Sequence, residues 1–375
     1  MFGILKIKRN TLIECKDKEI QEVVIPNKVE IIGKDAFKNC KSLTKVIIPN
    51  SVKNIGNFTF YNCGSLTSIV IPEGVTSIGN GAFSNCDSLT DVVLPKTILS
   101  IGESTFVGCK SLKNITIPDS VTSIGDYAFF GCHELTSITI PEGVTSIGRS
   151  AFESCTSLIS VVFPDSVKIM GERVFQDCTS LKSVAIGHGV TCIEKWMFLH
   201  CQSLRNITME NNITSIGEGA FELCTSLTNV IIPDSVICIE KEAFMGCKSL
   251  TNIIIPNNVT TIGESAFAYC SSAQNIKIGS GVTSIDYYAF RDCRSLKSVE
   301  IPNSVTYIGH RAFLWCDSLT SVIIPKNVTR IKWQAFYHCN YIKVYCEVKS
   351  KPEGWDEGWI YYKLPVVWGY KCRNK

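Results

Sequence analysis

The chain repeats one pattern of apolar and polar positions every 23 residues. The unit from Leu66 to Cys86 shows the pattern in full, with eight apolar or small positions: Leu66, Ile69, Ile71, Val75, Ile78, Ala82, Phe83 and Cys86. Its phenylalanine recurs without insertion or deletion at 37, 60, 83, 106, 129, 152, 175, 198, 221, 244, 267, 290, 313 and 336, each followed three residues later by a cysteine. A fixed short period of this kind predicts stacked repeats that share one continuous core.

The first half of each coil is predicted to be a strand. In the coil that begins at Leu43, Val46 and Ile48 alternate as the inward residues of a short strand. Pro49 follows them and ends the ladder, because proline has no N–H to donate. Strands at the same position of every coil should therefore pair side by side.

The second half of the coil is predicted to turn back across the stack. Val52 and Ile55 form a second apolar pair, and Gly56 turns the chain. The segment that carries Phe60 and Cys63 is expected to be a short helical turn with one apolar face. We therefore predict an α/β repeat solenoid, a right-handed coil with one parallel sheet of short strands and short helical turns opposite.

The repeats are expected to span residues 20–340, with a cap at each end. Residues 1–19 break the register and predict two short strands around the turn Arg9-Asn10, since terminal units have to cover apolar side chains and strand edges. Residues 341–375 are rich in aromatic side chains. Two interpretations of this C-terminal cap stay open, a carbohydrate-binding site and a lid over the last coil, and we favour the lid.

From the eighth coil the pattern acquires a double period. Glycine keeps its column at 217, 263 and 309. Every second coil, 46 residues apart, replaces it with a charged residue, namely Glu194, Glu240, Asp286 and Lys332. Charged residues adopt positive φ reluctantly, so we infer that positive φ is not required in this column.

Charge and hydropathy exclude several classes of function. The formal net charge is +3, with 37 Lys and Arg against 34 Asp and Glu and no basic run, so we expect no nucleic-acid partner. No apolar run approaches the ~18 residues of a membrane span. The first residues, Met1 to Arg9, lack the apolar core of a secretory signal. We expect a monomer without a membrane span.

Nineteen cysteines are present, and fourteen of them form a column from Cys40 to Cys339. Side chains of paired strands lie ~4.8 Å apart and point the same way, whereas a disulfide needs facing Cβ atoms ~3.5 to 4.5 Å apart. We therefore predict buried free thiols, since cysteine is among the most often buried residue types. For Cys15, Cys346 and Cys372, at the chain ends, a local bond stays open.

The chain shows no arrangement typical of catalysis or metal binding. Its five histidines lack metal or triad spacing. Three of them adjoin a column cysteine, as in Cys132-His133, but an inward cysteine and its outward neighbour cannot face each other as a nucleophilic pair must. Phosphate-binding and dinucleotide-binding glycine motifs are missing. We expect neither an enzyme nor a metal site nor a cofactor.

The pattern resembles leucine-rich repeats over residues 20–340. Leu43, Val46 and Ile48 occupy positions 1, 4 and 6 of the usual signature, although the next apolar residue stands at position 10 instead of 11. With Ile-Pro after the strand and Ile-Gly-x-x-Ala-Phe-x-x-Cys closing each coil, the chain is similar to the BspA-like, treponemal-type class. This resemblance implies a leucine-rich-repeat-like coil on a bacterial or protist surface and a role in adhesion to host proteins.

The outward face of the predicted strands is the candidate binding surface. Its last outward column is mostly apolar: Val24, Ile47, Val70, Val93, Thr116, Thr139, Val162, Ala185, Thr208, Ile231, Ile254, Lys277, Glu300 and Ile323. Interface cores are depleted of charge. We therefore predict a binding site at Asn206, Asn229, Ile231, Asn252, Ile254 and Asn275. The alternative is that β-branched residues simply favour strands and that stacked asparagines bond to one another.

Aromatic residues of the late coils form a second candidate surface. Tyrosine and tryptophan are favoured anchors in interfaces, although we expect these rings to pack on one another between coils. The residues are Tyr269, Tyr287, Tyr288, Tyr307, Trp315, Trp333 and Tyr337.

Two functions are compatible with these features. The first is a non-enzymatic protein-binding solenoid at the cell surface, adhesin-like, whose partner is an extracellular-matrix protein, another host surface protein or a glycan. The second is an intracellular interaction scaffold of the same fold. The resemblance favours the surface, whereas the missing signal and the free thiols favour a reducing compartment.

Overall fold

The computed structural model describes residues 4–360 and 364–371. The chain divides into two compact units, Met1–Val190 and Thr191–Lys375. Within the described residues each unit is built from short strands and turns, and no helix is present. Successive strands pair in parallel from coil to coil, as a β-solenoid requires.

From residue 4 to residue 190 the first unit contains fifteen strands. β1 and β2 form an antiparallel hairpin around the turn Arg9-Asn10, and the later strands pair in parallel, as Val24 does with Ile47. The strands are β1 (Leu5–Lys8), β2 (Thr11–Cys15), β3 (Glu22–Val24), β4 (Ile31–Ile32), β5 (Lys45–Ile47), β6 (Asn54–Ile55), β7 (Ser68–Val70), β8 (Ser77–Ile78), β9 (Asp91–Val93), β10 (Ser100–Ile101), β11 (Ser123–Ile124), β12 (Ser146–Ile147), β13 (Ser160–Val162), β14 (Ile169–Met170) and β15 (Ser183–Ala185).

The second unit contains fourteen strands in its described residues. They are β16 (Cys192–Ile193), β17 (Asn206–Thr208), β18 (Ser215–Ile216), β19 (Cys238–Ile239), β20 (Asn252–Ile254), β21 (Thr261–Ile262), β22 (Asn275–Lys277), β23 (Ser284–Ile285), β24 (Ser298–Glu300), β25 (Tyr307–Ile308), β26 (Ser321–Ile324), β27 (Arg330–Ile331), β28 (Lys343–Cys346) and β29 (Val366–Trp368). Parallel sheets of seven and six strands run in the orders β16-β18-β19-β21-β23-β25-β27 and β20-β22-β24-β26-β28-β29.

Each unit therefore has two rows of strands where one parallel sheet was predicted. The first row lies just before the proline that most coils carry, as β5 does before Pro49, and the second row lies at the second apolar pair, as β6 does. In the second row Ile55 pairs with Ile78, its equivalent one coil later. Two-residue strands are too short to show an alternating pattern in sequence, so the prediction missed them.

The predicted helical turns are wrong. In the segment after Gly33, φ is positive at Asp35 (59°) and Asn39 (60°). The N–H groups of Asp35 and Phe37 donate to carbonyls of the next coil, and Ala36 N–H donates back to Gly33. An α-helix needs consecutive negative φ values and N–H bonds to the residue four positions earlier. The segment is a turn that exchanges hydrogen bonds with its neighbour.

Phenylalanine rings fill the centre of each unit. All fourteen phenylalanines of the repeat column, from Phe37 to Phe336, are fully buried. In the first unit neighbouring rings stack nearly parallel, with centroids 5.1 Å apart for Phe37 and Phe60 and 5.5 Å apart for Phe83 and Phe106. The predicted packing role of the column is confirmed.

The column cysteines are free and buried, as predicted. From Cys63 onward the column thiols donate to the carbonyl of the phenylalanine one coil earlier, as Cys86 Sγ does to Phe60 O and Cys224 Sγ to Phe198 O, both at 3.2 Å. The same carbonyls also accept the backbone N–H of the cysteine three residues later, at 3.1 Å for Phe60 O and for Phe198 O, so the thiol is a second donor to each. Cys15 and Cys346 are also free, and Cys372 lies outside the described residues.

The glycines that follow the second apolar pair, such as Gly56 and Gly171, allow neighbouring coils to approach closely. A Cβ on Gly171 would lie 2.3 Å from the Arg149 nitrogen, and one on Gly56 would lie 2.6 Å from the Lys34 nitrogen. Neither glycine has positive φ, which confirms the inference from the charged replacements. Glycine is needed in this column because a side chain would not fit, and not because the backbone conformation requires it.

The C-terminal cap packs as a lid. Trp355 and Trp359 are buried, with centroids 4.9 Å apart, and Trp359 meets Phe336 edge to face. Trp355 Nε1 donates to the Val328 carbonyl at 3.0 Å. The lid interpretation is therefore supported for these residues. Tyr361 and Tyr362, also assigned to the cap, lie outside the described residues.

Candidate functional site

The strand face is the surface formed by the outward side chains of the first row of strands. In most of these strands the central residue is buried and its neighbours are exposed, as in Asn252-Ile253-Ile254 of β20. Side chains alternate along a strand, so the outward residues of successive coils line up in columns. The register places Asn252 beside Asn275 and Ile254 beside Lys277.

All six residues predicted for the binding site are exposed, and all lie in the second unit. Ile231 is 81% exposed and Ile254 is 60% exposed. Asn275 Nδ2 donates to Asn252 Oδ1 at 3.1 Å, which is the kind of contact that the asparagine-ladder alternative predicts. Asn206 lies in β17, Asn252 and Ile254 in β20, Asn275 in β22, and Asn229 and Ile231 in a segment that is not a regular strand. Partner binding at these residues stays a prediction.

The first unit carries an apolar patch on the outward side of its own first row of strands. We define it as Val24, Ile47, Val70 and Val93, four side chains from successive coils that are 48% to 62% exposed. The register pairs Val24 with Ile47 and Val70 with Val93. The sequence showed these residues in the apolar column but placed the site in the second unit, because the asparagines lie there. Four aliphatic residues in successive coils were the available signal.

Two grooves accompany the apolar patch. A groove of about 360 Å³ is bordered by Ile47 and Val70. A groove of about 550 Å³ is bordered by Val93, with Lys96 and Asp119 at its margin. Each groove could accept an apolar side chain of a partner, and the second also offers a charge of each sign. No sequence pattern indicated these grooves, since they depend on the relief between neighbouring coils.

The aromatic residues of the late coils pack on one another, as expected. The Arg291 guanidinium lies 5.1 Å from the ring centres of Tyr269 and Trp315 and 5.4 Å from that of Tyr288. Its Nε donates to the buried carboxylate of Asp292 at 3.3 Å. Such cation–π contacts stabilise the positions of the rings and of the guanidinium. The ring faces that contact Arg291 are therefore not open to a partner.

Trp333 is 46% exposed, but neighbouring residues contact its ring. His310 stacks on it with centroids 5.4 Å apart, and Gly358 lies so close to it that a Cβ there would be 2.5 Å from Trp333 Cδ1. Burial and the neighbouring Arg311 lower the pKa of His310. Burial and a hydrogen bond with Tyr287 raise the pKa of the Tyr307 hydroxyl. The rings of this cluster therefore pack on one another while Tyr269, Tyr287 and Trp333 stay 38% to 46% exposed.

No described group of side chains resembles a catalytic centre. Cys132, next to His133, is buried and donates to the Phe106 carbonyl at 3.2 Å, and burial raises its pKa. A buried thiol of raised pKa is a poor nucleophile. Among residues 4–360 and 364–371, no three His, Cys, Asp or Glu side chains are grouped so as to hold a metal ion. The same residues contain no helix that could span a bilayer.

A family model described as the BspA type leucine-rich repeat region matches residues 6–134, 99–228 and 214–343. A search of curated proteins gives no significant match. Among solved structures, a leucine-rich repeat protein from Bacteroides ovatus is 31% identical over 90% of this chain and 87% of its own, with a TM-score of 0.68. A leucine-rich cell surface protein from Faecalibacterium prausnitzii is 29% identical over 93% of both chains, with a TM-score of 0.56.

These matches agree with the strands, turns and buried columns described above. Leucine-rich repeat folds generally serve protein interaction, and no enzyme family is indicated. The family model covers most of the described chain, from residue 6 to residue 343. By its 23-residue coils and by this match, the chain belongs to the BspA-type leucine-rich repeat family.

Proposed function

We propose that this chain is a non-enzymatic, adhesin-like protein that engages a partner protein through its strand face. One observation carries the proposal: large aliphatic side chains are well exposed at the same outward position of successive coils, at Val24, Ile47, Val70 and Val93 in the first unit and at Ile231 and Ile254 in the second. Soluble proteins seldom keep exposed apolar residues in contiguous rows unless another molecule covers them. Beside the isoleucines of the second unit, Asn229 and Asn252 supply amide groups for hydrogen bonds to that partner.

The energetics favour the isoleucines as anchors. Burying a large aliphatic side chain contributes about 1.5 to 3 kcal/mol, so covering Ile231 and Ile254 would supply much of the free energy of a micromolar complex. Asn252 and Asn275 hold each other through their amides, which pre-orients the remaining polar atoms. Beyond them Lys277 and Glu300 pair in register, so the surface becomes charged there. We place the edge of the contact at this charged pair.

A position at the cell surface is supported by a relative. The F. prausnitzii protein, similar over 93% of both chains, is described as a cell surface protein. The alternative is an intracellular scaffold that uses the same strand face. It is supported by the eighteen described cysteines, all free, because proteins with many unpaired thiols suit reducing compartments.

The binding test uses a double variant on the strand face. Ile231→Lys with Ile254→Lys should abolish binding to a panel of immobilised extracellular-matrix proteins, since two charges would have to be buried in the contact. Thermal unfolding should stay nearly unchanged, because both side chains are exposed. A glycan array probed in parallel separates a protein partner from a carbohydrate.

The matched control moves the same change to the apolar patch of the first unit. Val70→Lys with Val93→Lys adds the same charge at the equivalent outward position of the first unit. If only the first double variant loses binding, the second unit holds the site, and the reverse result transfers the site to the apolar patch. Binding that survives both double variants contradicts the use of the strand face.

The compartment is tested separately. Surface biotinylation of intact cells, followed by fractionation, should label the protein if it is exposed outside. Labelling only after lysis would contradict the adhesin-like role and favour the scaffold.

A further inference from the structure

The first row of strands in the first unit begins at β3, and β3 is paired on one side. It is the terminal strand of the sheet β3-β5-β7-β9, and its paired neighbour is β5. In the ladder between them the Ile25 N–H donates to the Ile47 carbonyl at 3.0 Å. Backbone groups of successive strand residues point to opposite edges, so those of Glu22 and Val24 point away from β5.

We call the side of β3 that faces away from β5 its outer edge. Glu22 and Val24, whose backbone groups lie along this edge, both have exposed side chains, and Val24 is 55% exposed. Among residues 4–360 and 364–371 no strand pairs with the outer edge. Unpaired N–H and C=O groups in a row are the template on which an extended segment of another chain can form a further strand.

The second row of the same unit ends differently. β4 is paired with β2 of the N-terminal hairpin, and β1 lies outside β2 as the terminal strand. Along β1 the exposed Lys6 and Lys8 alternate with the half-buried Leu5 and Ile7. Lysines on a terminal strand oppose further pairing, because a partner strand would have to approach their charges. The hairpin therefore covers the end of one row of strands and leaves the other row open.

We propose that the outer edge of β3 binds an extended segment of a partner protein, which adds to the first row as one more parallel strand. Charge complementarity defines the segment. In the register of β3 with β5, Glu22 lies beside Lys45 and Val24 lies beside Ile47. The matching segment on the outer edge has a basic residue beside Glu22 and an aliphatic residue beside Val24, two positions later.

The proposed contact continues one that the chain already makes. β5 pairs with β3, and β9 with β7, each in parallel and through three residues. A segment on the outer edge would extend this ladder by one strand. Recognition would rest mainly on backbone hydrogen bonds, with the basic and aliphatic side chains setting the register. The outer edge is a different surface from the strand face, so either can bind without the other.

The test uses a fluorescein-labelled peptide with the sequence of residues 41–50, which contains the strand that already pairs with β3. Fluorescence polarisation with the full chain should show saturable binding. Hydrogen exchange measured by mass spectrometry should become slower in residues 20–25 when the peptide is bound. A peptide that does not bind, or one that slows exchange only in another part of the chain, would overturn the proposal.

A proline at the outer edge tests the backbone contact. Val24→Pro removes an N–H that points away from β5, so it removes no hydrogen bond of the existing ladder, and terminal strands tolerate proline at such positions. Loss of this donor should weaken binding of the peptide by about tenfold. Val24→Ala keeps the N–H and is the control for the lost side chain. Equal losses in the two variants would contradict recognition through the backbone.

Charge reversal tests the register. Glu22→Lys should weaken binding of the peptide, and the Lys45→Glu peptide should bind Glu22→Lys more tightly than it binds the unmodified protein. Unchanged binding of the original peptide to both Glu22→Lys and Val24→Pro would place it elsewhere and overturn the assignment. If either variant fails to fold, hydrogen exchange in the unmodified protein still decides the question.

A separate control keeps this test apart from that of the strand face. The double variant Ile231→Lys with Ile254→Lys changes the second unit and leaves β3 as it is. It should bind the peptide as tightly as the unmodified protein does, whatever its effect on binding to matrix proteins. Loss of peptide binding in this double variant would contradict a site at β3.

Discussion

The turn segments and the strand face belong to the same coils but use their residues differently. In the turn segments the phenylalanine and cysteine side chains are fully buried, and backbone N–H groups bond to the neighbouring coil. On the strand face the backbone is also paired, yet every second side chain is exposed, as Ile254 is in β20. The invariant positions of the repeat are therefore those that packing requires, and the variable positions are those that a partner can contact.

The largest test of this contrast is Phe221→Ala. Phe221 stacks on Phe198 and Phe244 with centroids 5.3 and 5.1 Å away, and its deletion should lower the free energy of unfolding by about 3 to 5 kcal/mol. Denaturant unfolding measures the loss. Ile231→Ala, on the strand face, is the control and should change stability by no more than about 0.5 kcal/mol. A melting temperature of Phe221→Ala within a degree of the unmodified protein would contradict the role of the column.

Gly171→Ala should have the next largest effect on stability. The added Cβ would lie 2.3 Å from the Arg149 nitrogen, so two coils would have to separate, at a cost of about 1 to 3 kcal/mol. Lys332→Ala is the control, because this position of the same column already carries a side chain. It removes only an exposed ion pair to Asp356, worth about 0 to 1 kcal/mol. Equal losses in the two variants would mean that close approach does not explain the glycines.

Cys224→Ala should have a smaller effect. The change removes a buried sulfur and leaves the Phe198 carbonyl without the thiol 3.2 Å away, which should cost about 1 to 2 kcal/mol. Cys238→Ala, at a half-buried position of the second row, should cost less. The difference between the two unfolding free energies measures the contribution of the thiol–carbonyl contact. If the two variants lose the same stability, the column cysteines contribute by filling space and not by this hydrogen bond.

The smallest effect is expected from the pH dependence of His310. Burial and Arg311 lower its pKa in the folded protein, so the unfolded chain binds more protons once the pH falls past the ordinary value of about 6.5. Stability should therefore be complete above that value and should decline as the pH falls through it toward the folded pKa. In His310→Gln the decline over this window should be shallower. An identical decline in both proteins would assign it to other groups.

The turn segments show where sequence reasoning failed although a signal was present. Positive φ recurs two residues after the column phenylalanine, at Asn39, Asn62 and Asn85 and then at Gly108 and Gly131. Asparagine and glycine are the residues that tolerate this conformation, so their recurrence argued against a helix. Later coils place Tyr269 and Trp315 at the same point, which hides the signal. There the neighbouring coil imposes the backbone conformation against the preference of the residue.

By itself the sequence determined the coil length, the inward columns and the free state of the column thiols. A strict period of 23 residues admits one register, because a slip by one residue would expose every buried side chain. Only the tertiary structure decided the second row of strands, the turns in place of helices, and the grooves beside Ile47 and Val93. Each of these depends on what one coil places against the next, and such contacts leave no periodic mark within a single coil.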